Sequence, residues 1–354
     1  MLKDIHIKNY RGIKDLKIKD FKRINLLVGD NNSGKTSVLE AVGMSVNYDA
    51  SFVIACEGIR EAGMLPQITH LQDPKMWTDF EYLFYEKSFQ EGFEISSTVI
   101  KENLEKIIKL KASLTNDSGK FSNSHVLNSF VINQNLINSL ILEYSGNDLN
   151  QERLGYSRDG TYSALSNTIP ITPLSFISSV PVKTRELIDP MGKVAQDNGE
   201  KFFSDLAQKI DPKIKAIKTS GNQILADIGK VSVPLKYMGD GITNVIHVLL
   251  QIREKKNGIL LIDEIENGLH WKTQRILWKA VIKAAEDNNV QIIATTHSNE
   301  IIYALSKAYE EINLLEEDEI RIFKIKKDSQ ENNHALKYNS GMIKHVVEDE
   351  AEVR

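Results

Sequence analysis

The chain of 354 residues holds one cysteine, Cys56, so no disulfide can form within it. That usage suits a reducing compartment. Cys56 closes the apolar run Phe52-Val53-Ile54-Ala55-Cys56, where a thiol is expected as a small core side chain and not as a nucleophile. No apolar run approaches the roughly 20 residues of a membrane-spanning helix; Ile259-Leu260-Leu261-Ile262 is typical of the longest. The N-terminus lacks the basic-then-apolar layout of a signal peptide. The expectation is a cytoplasmic protein with no membrane partner. Positive charge is not in excess either. Lys and Arg number 44 against 48 Asp and Glu, a net charge of −4. That removes any overall pull toward nucleic acid, though not a local basic groove. There is no internal repeat, no long low-complexity segment and no sustained heptad array.

What is present is ordinary globular material: 41% apolar and 26% charged residues. The length matches about two domains and suffices for a sizeable core.

Against that background one run stands out. Gly29-Asp30-Asn31-Asn32-Ser33-Gly34-Lys35-Thr36 is a full match to the nucleotide phosphate loop G-x-x-x-x-G-K-[ST]. Gly29 and Gly34 let the backbone turn tightly and approach a phosphate without a Cβ in the way. The successive N–H groups form an anion nest at an expected helix N-terminus. Lys35 is placed to reach the β and γ phosphates, and the Thr36 hydroxyl to bind Mg²⁺. Asn31, Asn32, Ser33 and Ser37 complete the candidate ATP contacts. The flanks agree: Ile24 to Val28 reads as a short strand and Ser37 to Val46 as a helix.

Three further blocks carry chemistry. In Gly258-Ile259-Leu260-Leu261-Ile262-Asp263-Glu264, a buried strand ends in two carboxylates, at the end where open α/β sheets place ligands. Asp263 is the candidate Mg²⁺ ligand. Glu264 is the candidate base for the attacking water, a role typically worth about 10²- to 10⁴-fold in rate. Gln291 to Ser298 is another buried strand, ending in His297, 34 residues past Asp263. One helix and one strand fill that gap, so His297 could touch the γ-phosphate or the water. Gly239-Asp240-Gly241 opens a helical stretch, an anion site by its free N–H groups and dipole or a plain cap by Asp240.

The remaining organisation is read from pattern. Residues 2 to 28 alternate as β-structure, with a turn at Asn9-Tyr10-Arg11-Gly12. Residues 48 to 90 read as mostly helical and 90 to 180 as β-rich, with candidate strands at 93–100, 105–114 and 138–143 and turn clusters at 116–119 and 145–148. Residues 183 to 217 return to helix, and 224 to 235 read as a hairpin. From 240 the order is helix 241–255, strand 258–263, helix 270–288, strand 290–295, helix 298–309, then a strand at 320–325. Strands alternating with helices give a mostly parallel sheet. The acidic run Glu316 to Glu319 is expected as a solvated turn. The resulting divisions are 1–47, 48–182, 183–326 and a tail, 327–354.

These blocks, in this order, resemble the ABC-type ATPase head shared with SMC-like proteins, and most nearly the AAA family ATPase of the OLD type. The resemblance rests on Ile7-Lys8-Asn9-Tyr10-Arg11-Gly12-Ile13, on Met238-Gly239-Asp240-Gly241 as the signature, on Ile262 to His270 as the Walker B and D-loop block, on Thr295-Thr296-His297-Ser298, and on the closing Glu352-Val353-Arg354. It implies an α/β, ABC/SMC-like P-loop NTPase head with a mostly parallel central sheet, an N-terminal antiparallel β subdomain and a mixed helical/β insertion. It implies ATP hydrolysis with Mg²⁺, Arg11 near the phosphates, and a homodimer or higher oligomer in which Gly239, Asp240 and Gly241 of one copy reach the ATP of another. OLD-type nucleases add a Toprim domain that needs an Asp-x-Asp pair. None occurs in this chain, and the stretch after the last core helix is short for such a domain. The implied partner is therefore a separate effector, a nuclease or toxin in anti-phage defence.

Two other readings compete. In a DNA-repair or DNA-sensing ATPase, Lys14, Lys17, Lys19, Lys22 and Arg23, or Lys101, Lys106, Lys109 and Lys111, would track phosphates. In a metal nuclease, Asp263, Glu264 and Glu266 would hold the metal. Connection lengths and the missing strand–glutamine motif after the first helix leave the Q-loop unassigned.

Overall fold

The computed structural model describes residues 1–47, 52, 83–87, 91–115, 139–146, 149–157, 162–164, 172–312 and 318–343. Cys56, most of the helical stretch expected at 48–90, the turn cluster at 116–119 and the closing Glu352 to Arg354 lie outside these residues.

In chain order, β1 (Leu2–Tyr10) and β2 (Ile13–Lys19) form a hairpin, β3 (Ile24–Val28) runs into the phosphate loop, and α1 (Lys35–Asn47) follows. Five strands come next: β4 (Phe93–Lys101), β5 (Leu104–Thr115), β6 (Ser139–Gly146), β7 (Leu149–Ser157) and β8 (Tyr162–Ala164). Then come β9 (Leu174–Ile177), α2 (Ile188–Gln196) and α3 (Glu200–Ile210). A small sheet of β10 (Ala216–Ser220), β11 (Gln223–Asp227) and β12 (Ser232–Pro234) leads to α4 (Asp240–Glu254). The chain closes with β13 (Ile259–Ile262), α5 (Trp271–Asp287), β14 (Gln291–Thr295), α6 (Asn299–Glu311), β15 (Ile320–Lys327) and β16 (Asn333–Asn339).

These elements form two compact units. The first comprises Met1–Phe21, Asp30–Thr172 and Lys324–Leu336. Its frame is a seven-stranded sheet in the order β2-β1-β4-β5-β6-β7-β8, antiparallel throughout. Period-two alternation turns Ile5, Ile7, Ile95, Val99, Ile108 and Leu110 to one buried face, and α1 packs on that sheet. The Tyr144 hydroxyl donates to the Met44 carbonyl at 3.2 Å, fixing the end of α1 to β6.

The polar face of this sheet bears on the lysine clusters. The register sets Asp15, Lys8, Glu94, Lys111 and Glu143 side by side across five strands, with strictly alternating sign. Lys111 and Glu94 meet at 2.9 Å, and Lys3 meets Glu105 at 2.5 Å. Such neighbours neutralise each other locally; of the candidate lysines only Lys111 lies in this row, while Lys17 and Lys109 lie in the neighbouring row with His6, Ser96 and Ser145.

The second unit comprises Lys22–Gly29, Pro173–Phe323 and Lys337–Arg354. It carries the parallel run of the six-stranded sheet, whose order is β16-β15-β3-β14-β13-β9. β3, β14, β13 and β9 pair parallel, and each of β3, β13 and β14 is buried along its length. Strands covered on both faces read as continuous apolar runs, as these do. The Trp278 indole, fully buried on α5, donates to the Ile301 carbonyl of α6 at 3.1 Å.

Three local expectations need correcting. Residues 174–177, read within the β-rich stretch, are the parallel strand β9, with Phe176 opposite Leu261. Helix does not extend to 217: α3 stops at Ile210, before Pro212, and Ile217 pairs with Ala226 in β10–β11, because proline cannot continue a helix interior. The tail contains β16, a largely exposed strand with no apolar alternation to announce it. Glu316 and Glu317 of the acidic run lie outside the described residues, and Asp318 is exposed, as a solvated turn would have it. It takes the buried Arg321 guanidinium in two 2.5 Å contacts, and that guanidinium holds its carboxyl below the usual range.

His247 sits on α4, and burial pushes its imidazole down to about 4, only partly offset by Glu254. In the unfolded chain it titrates near 6.5. The unfolded state therefore takes the proton first as pH falls. The stability contributed by neutral His247 is whole above pH 6.5 and is lost as pH falls toward 4, at most about 3 kcal/mol. Urea unfolding of His247→Gln is expected to give a flatter stability profile across that window than the parent. An unchanged slope would contradict the assignment.

Candidate functional site

The loop at the end of β3 is built from conformations that L side chains avoid. Gly29 has φ 144°, Asn32 φ 62° and Gly34 φ 101°. This alternation of left- and right-handed residues turns successive N–H groups to one side, the geometry of an anion nest. The Ser33 N–H donates to the Asp30 carbonyl at 3.2 Å, closing the turn, and Val38 N–H to Gly34 carbonyl at 2.9 Å opens α1. The Lys35 ammonium is drawn back over the loop onto the Asp30 carbonyl at 2.8 Å. Asn31 and Asn32 are exposed, and Thr36 is half-buried. Ser37 is buried, and so is Ser33, whose Oγ has no hydrogen-bond partner.

The acidic pair is held differently. The parallel register sets Ile262 beside Ala294, so Asp263, just beyond β13, meets Thr295, the last residue of β14. Thr295 is 1% exposed. Its hydroxyl donates to Asp263 Oδ1 at 2.7 Å and accepts the Glu264 N–H at 2.8 Å. The Ile265 N–H reaches the Thr295 carbonyl at 3.1 Å. Glu266 Oε1 accepts the His297 N–H at 2.7 Å. The His297 ring faces Glu264, Nε2 to Oε1 3.8 Å. Glu264 itself has φ 52°, a conformation costing an L residue about 1–2 kcal/mol. Such strain persists where neighbours over-determine the backbone, and it concentrates at functional sites. Asp263, Glu264 and His297 thus come together; Thr295 and Glu266 join them. Sequence reading gave Thr295 no role, because a strand-end threonine carries no signature of its own. Glu266 was weighed only as a nuclease ligand. Among the described residues no group of three or more His, Cys, Asp or Glu could hold a metal.

Comparison with known proteins decides the family. The model of the AAA ATPase domain matches residues 1–62 and 64–302. This chain belongs to the AAA ATPase domain family. It is an ATPase. A Helicobacter pylori protein described as an ATP/GTP phosphatase is 26% identical over 362 residues, covering 93% of this chain and 94% of that one. The SMC head domain from Thermotoga maritima superposes with a TM-score of 0.51 at 10% identity, covering 95% of this chain and 98% of that one. An Smc head domain with an extended coiled coil, bound to the C-terminal domain of ScpA and derived from Pyrococcus furiosus, also gives 0.51, at 12% identity, covering 99% and 100%. Those two show the fold. No described helix is long and apolar enough to cross a membrane.

Two further sites of this AAA ATPase have their own local geometry. Asp240 does not cap α4. The cap is Gly239, at φ 90° and ψ 156°, and Asp240 is the first helical residue, where its carboxylate complements the helix dipole. A Cβ on Gly241 would stand 3.0 Å from the Gly268 carbonyl, so the signature turn packs directly on the D-loop. Arg11 is expected near phosphates, yet its Nε lies 2.6 Å from Glu40 Oε2 on α1 and 3.0 Å from the Tyr10 hydroxyl. The ion pair is buried, 9% and 2% exposed. Breaking one partner of a buried pair leaves an uncompensated charge, a loss of about 3–5 kcal/mol.

Two outcomes are expected. Glu40→Ala should lower unfolding free energy by about 3 kcal/mol or more, read by denaturant titration; a loss under about 1 kcal/mol, the range of surface pairs, would contradict it. Gly34→Ala forces a side chain into φ 101° with its Cβ 3.1 Å from Ile13 Cγ1. It should cost about 1–2 kcal/mol and weaken nucleotide binding. Parent-like stability and binding together would show the loop less constrained than described.

Proposed function

We propose that this chain is an OLD-type switch: with ATP and Mg²⁺ bound it closes on a second copy of itself, hydrolysis opens it, and a separate effector reads the closed state. The observation that carries the reading is the hydroxyl-pinned pair Asp263–Glu264 with His297 facing Glu264 at 3.8 Å. An acid oriented at a buried strand end beside a histidine suits activation of a water for attack on a γ-phosphate.

The roles follow from chemistry. Gly29, Asn31, Asn32, Ser33, Gly34, Lys35, Thr36 and Ser37 bind the phosphates, and the partnerless Ser33 Oγ suits that task. Thr36 and Asp263 are hard oxygen donors of the kind Mg²⁺ takes, and bound Mg²⁺ supplies charge neutralisation at the β and γ phosphates. Glu264 orients and deprotonates the water. His297 senses the γ-phosphate. Gly239, Asp240 and Gly241 present the free N–H groups of α4 to the ATP of the second copy. Arg11 acts by fixing the β1–β2 turn to α1 through Glu40, a positioning role. The anti-phage effector, a nuclease or toxin, rests on the family resemblance alone. A DNA-repair or DNA-sensing role is the second reading; Lys17 and Lys109 lie in one cross-strand row with His6, Ser96 and Ser145, and salt-dependent duplex binding that stimulates hydrolysis would favour it.

Glu264→Gln should abolish ATP turnover while leaving, or prolonging, ATP-dependent dimers, read by phosphate release and light scattering after size exclusion. GTP belongs alongside ATP, given the Helicobacter pylori relative. Parent-like hydrolysis by Glu264→Gln would overturn the assignment.

A further inference from the structure

The γ-oxygen of Thr295 bonds both acidic residues at the β13 strand end. Its one proton is committed to Asp263 Oδ1, and its lone pair receives the Glu264 N–H. This polarity is fixed. The backbone N–H can only donate, so the hydroxyl must accept from Glu264 and spend its own hydrogen on the carboxylate. The group is 1% exposed, so water cannot substitute for either bond. The backbone it grips is Glu264 at φ 52°, a conformation that needs holding. A second tie on the same strand, Ile265 N–H to the Thr295 carbonyl at 3.1 Å, fixes the position of Thr295 independently of its hydroxyl.

We propose that Thr295 is a positioning residue for ATP hydrolysis. Its hydroxyl orients the Asp263 carboxylate toward the metal shell and locks Glu264 in the left-handed conformation that aims its carboxylate at the water. Valine has the same shape without the hydroxyl. With Val at this position the strand and the Ile265 tie remain, while Asp263 can rotate and Glu264 can relax to an ordinary φ. Serine keeps the oxygen. This inference rests on the proposed roles of Asp263 and Glu264.

The experiment compares Thr295→Val and Thr295→Ser with the parent and with Glu264→Gln. Removing partners that orient metal ligands typically costs about 10- to 100-fold in metal affinity or activity. Thr295→Val is expected to lose kcat within that range at little change in KM for ATP. The Mg²⁺ concentration giving half of the ATP-dependent rise in Tm should increase similarly. Its Tm without nucleotide should fall by a few degrees, because the Glu264 N–H loses its acceptor where water does not reach; the fall in kcat and the rise in the Mg²⁺ midpoint are read on the folded protein. Thr295→Ser should recover both readouts. Parent-like kcat and Mg²⁺ midpoint in Thr295→Val would overturn the proposal, and so would a Thr295→Ser variant as impaired as Thr295→Val. If Thr295→Val does not fold, the serine variant decides alone: a defect in its Mg²⁺ midpoint overturns the proposal and parent-like values support it. An active Glu264→Gln would instead mark failure of the underlying functional reading.

Discussion

Everything at the acidic end of this molecule depends on the register between two buried parallel strands. Ile262 of β13 stands beside Ala294 of β14, so Asp263 and Thr295 emerge as neighbours. A slip of one residue would turn every side chain of a strand to the opposite face. Both strands are buried along their length, so their register is held by close packing of particular side chains and not by a contrast between a dry and a solvated face. That register is what sets the Asp263 carboxylate and the Glu264 N–H within bonding distance of the Thr295 hydroxyl. The hydroxyl then constrains the one backbone residue that departs from ordinary geometry there, Glu264.

The first unit solves a different problem with the same alphabet. There the strands alternate, one face carries the core, and the other carries charges whose order across the sheet is set by hairpin register. The row from Asp15 to Glu143 changes sign at every strand, a pattern that adds cross-strand attraction and avoids a large field of one sign. At its end, the β1–β2 turn is held to α1 by Arg11 and Glu40. Burying that pair needs compensating contacts, and the Tyr10 hydroxyl, donating to Glu40 at 3.0 Å, provides one.

Much of this was legible from sequence wherever period and punctuation agreed. The phosphate loop, β13 with its two acids, β14 with His297 and the helices between them follow from apolar runs bounded by glycine, asparagine and charge. Boundaries there agree to within about two residues. What was not legible falls into recognisable kinds. β9 and β16 become strands by tertiary pairing, since neither shows the alternation of an independent half-buried strand. Proline at 212 ended a helix that composition alone would extend. The role of Arg11 could not be read because Glu40, its partner, is 29 residues away with no pattern linking them. Thr295 looked like one more β-branched strand residue until its hydroxyl was seen between two acids.

The central claim is that this chain holds a nucleoside triphosphate on the loop Gly29 to Thr36. Isothermal titration of ATP with Mg²⁺ into the full-length protein, on a Glu264→Gln background to prevent turnover, tests it most directly. The account predicts saturable binding of one ATP per chain, lost when Lys35 is replaced by alanine. No saturable heat with ATP, or equal binding in the Lys35→Ala variant, would contradict it.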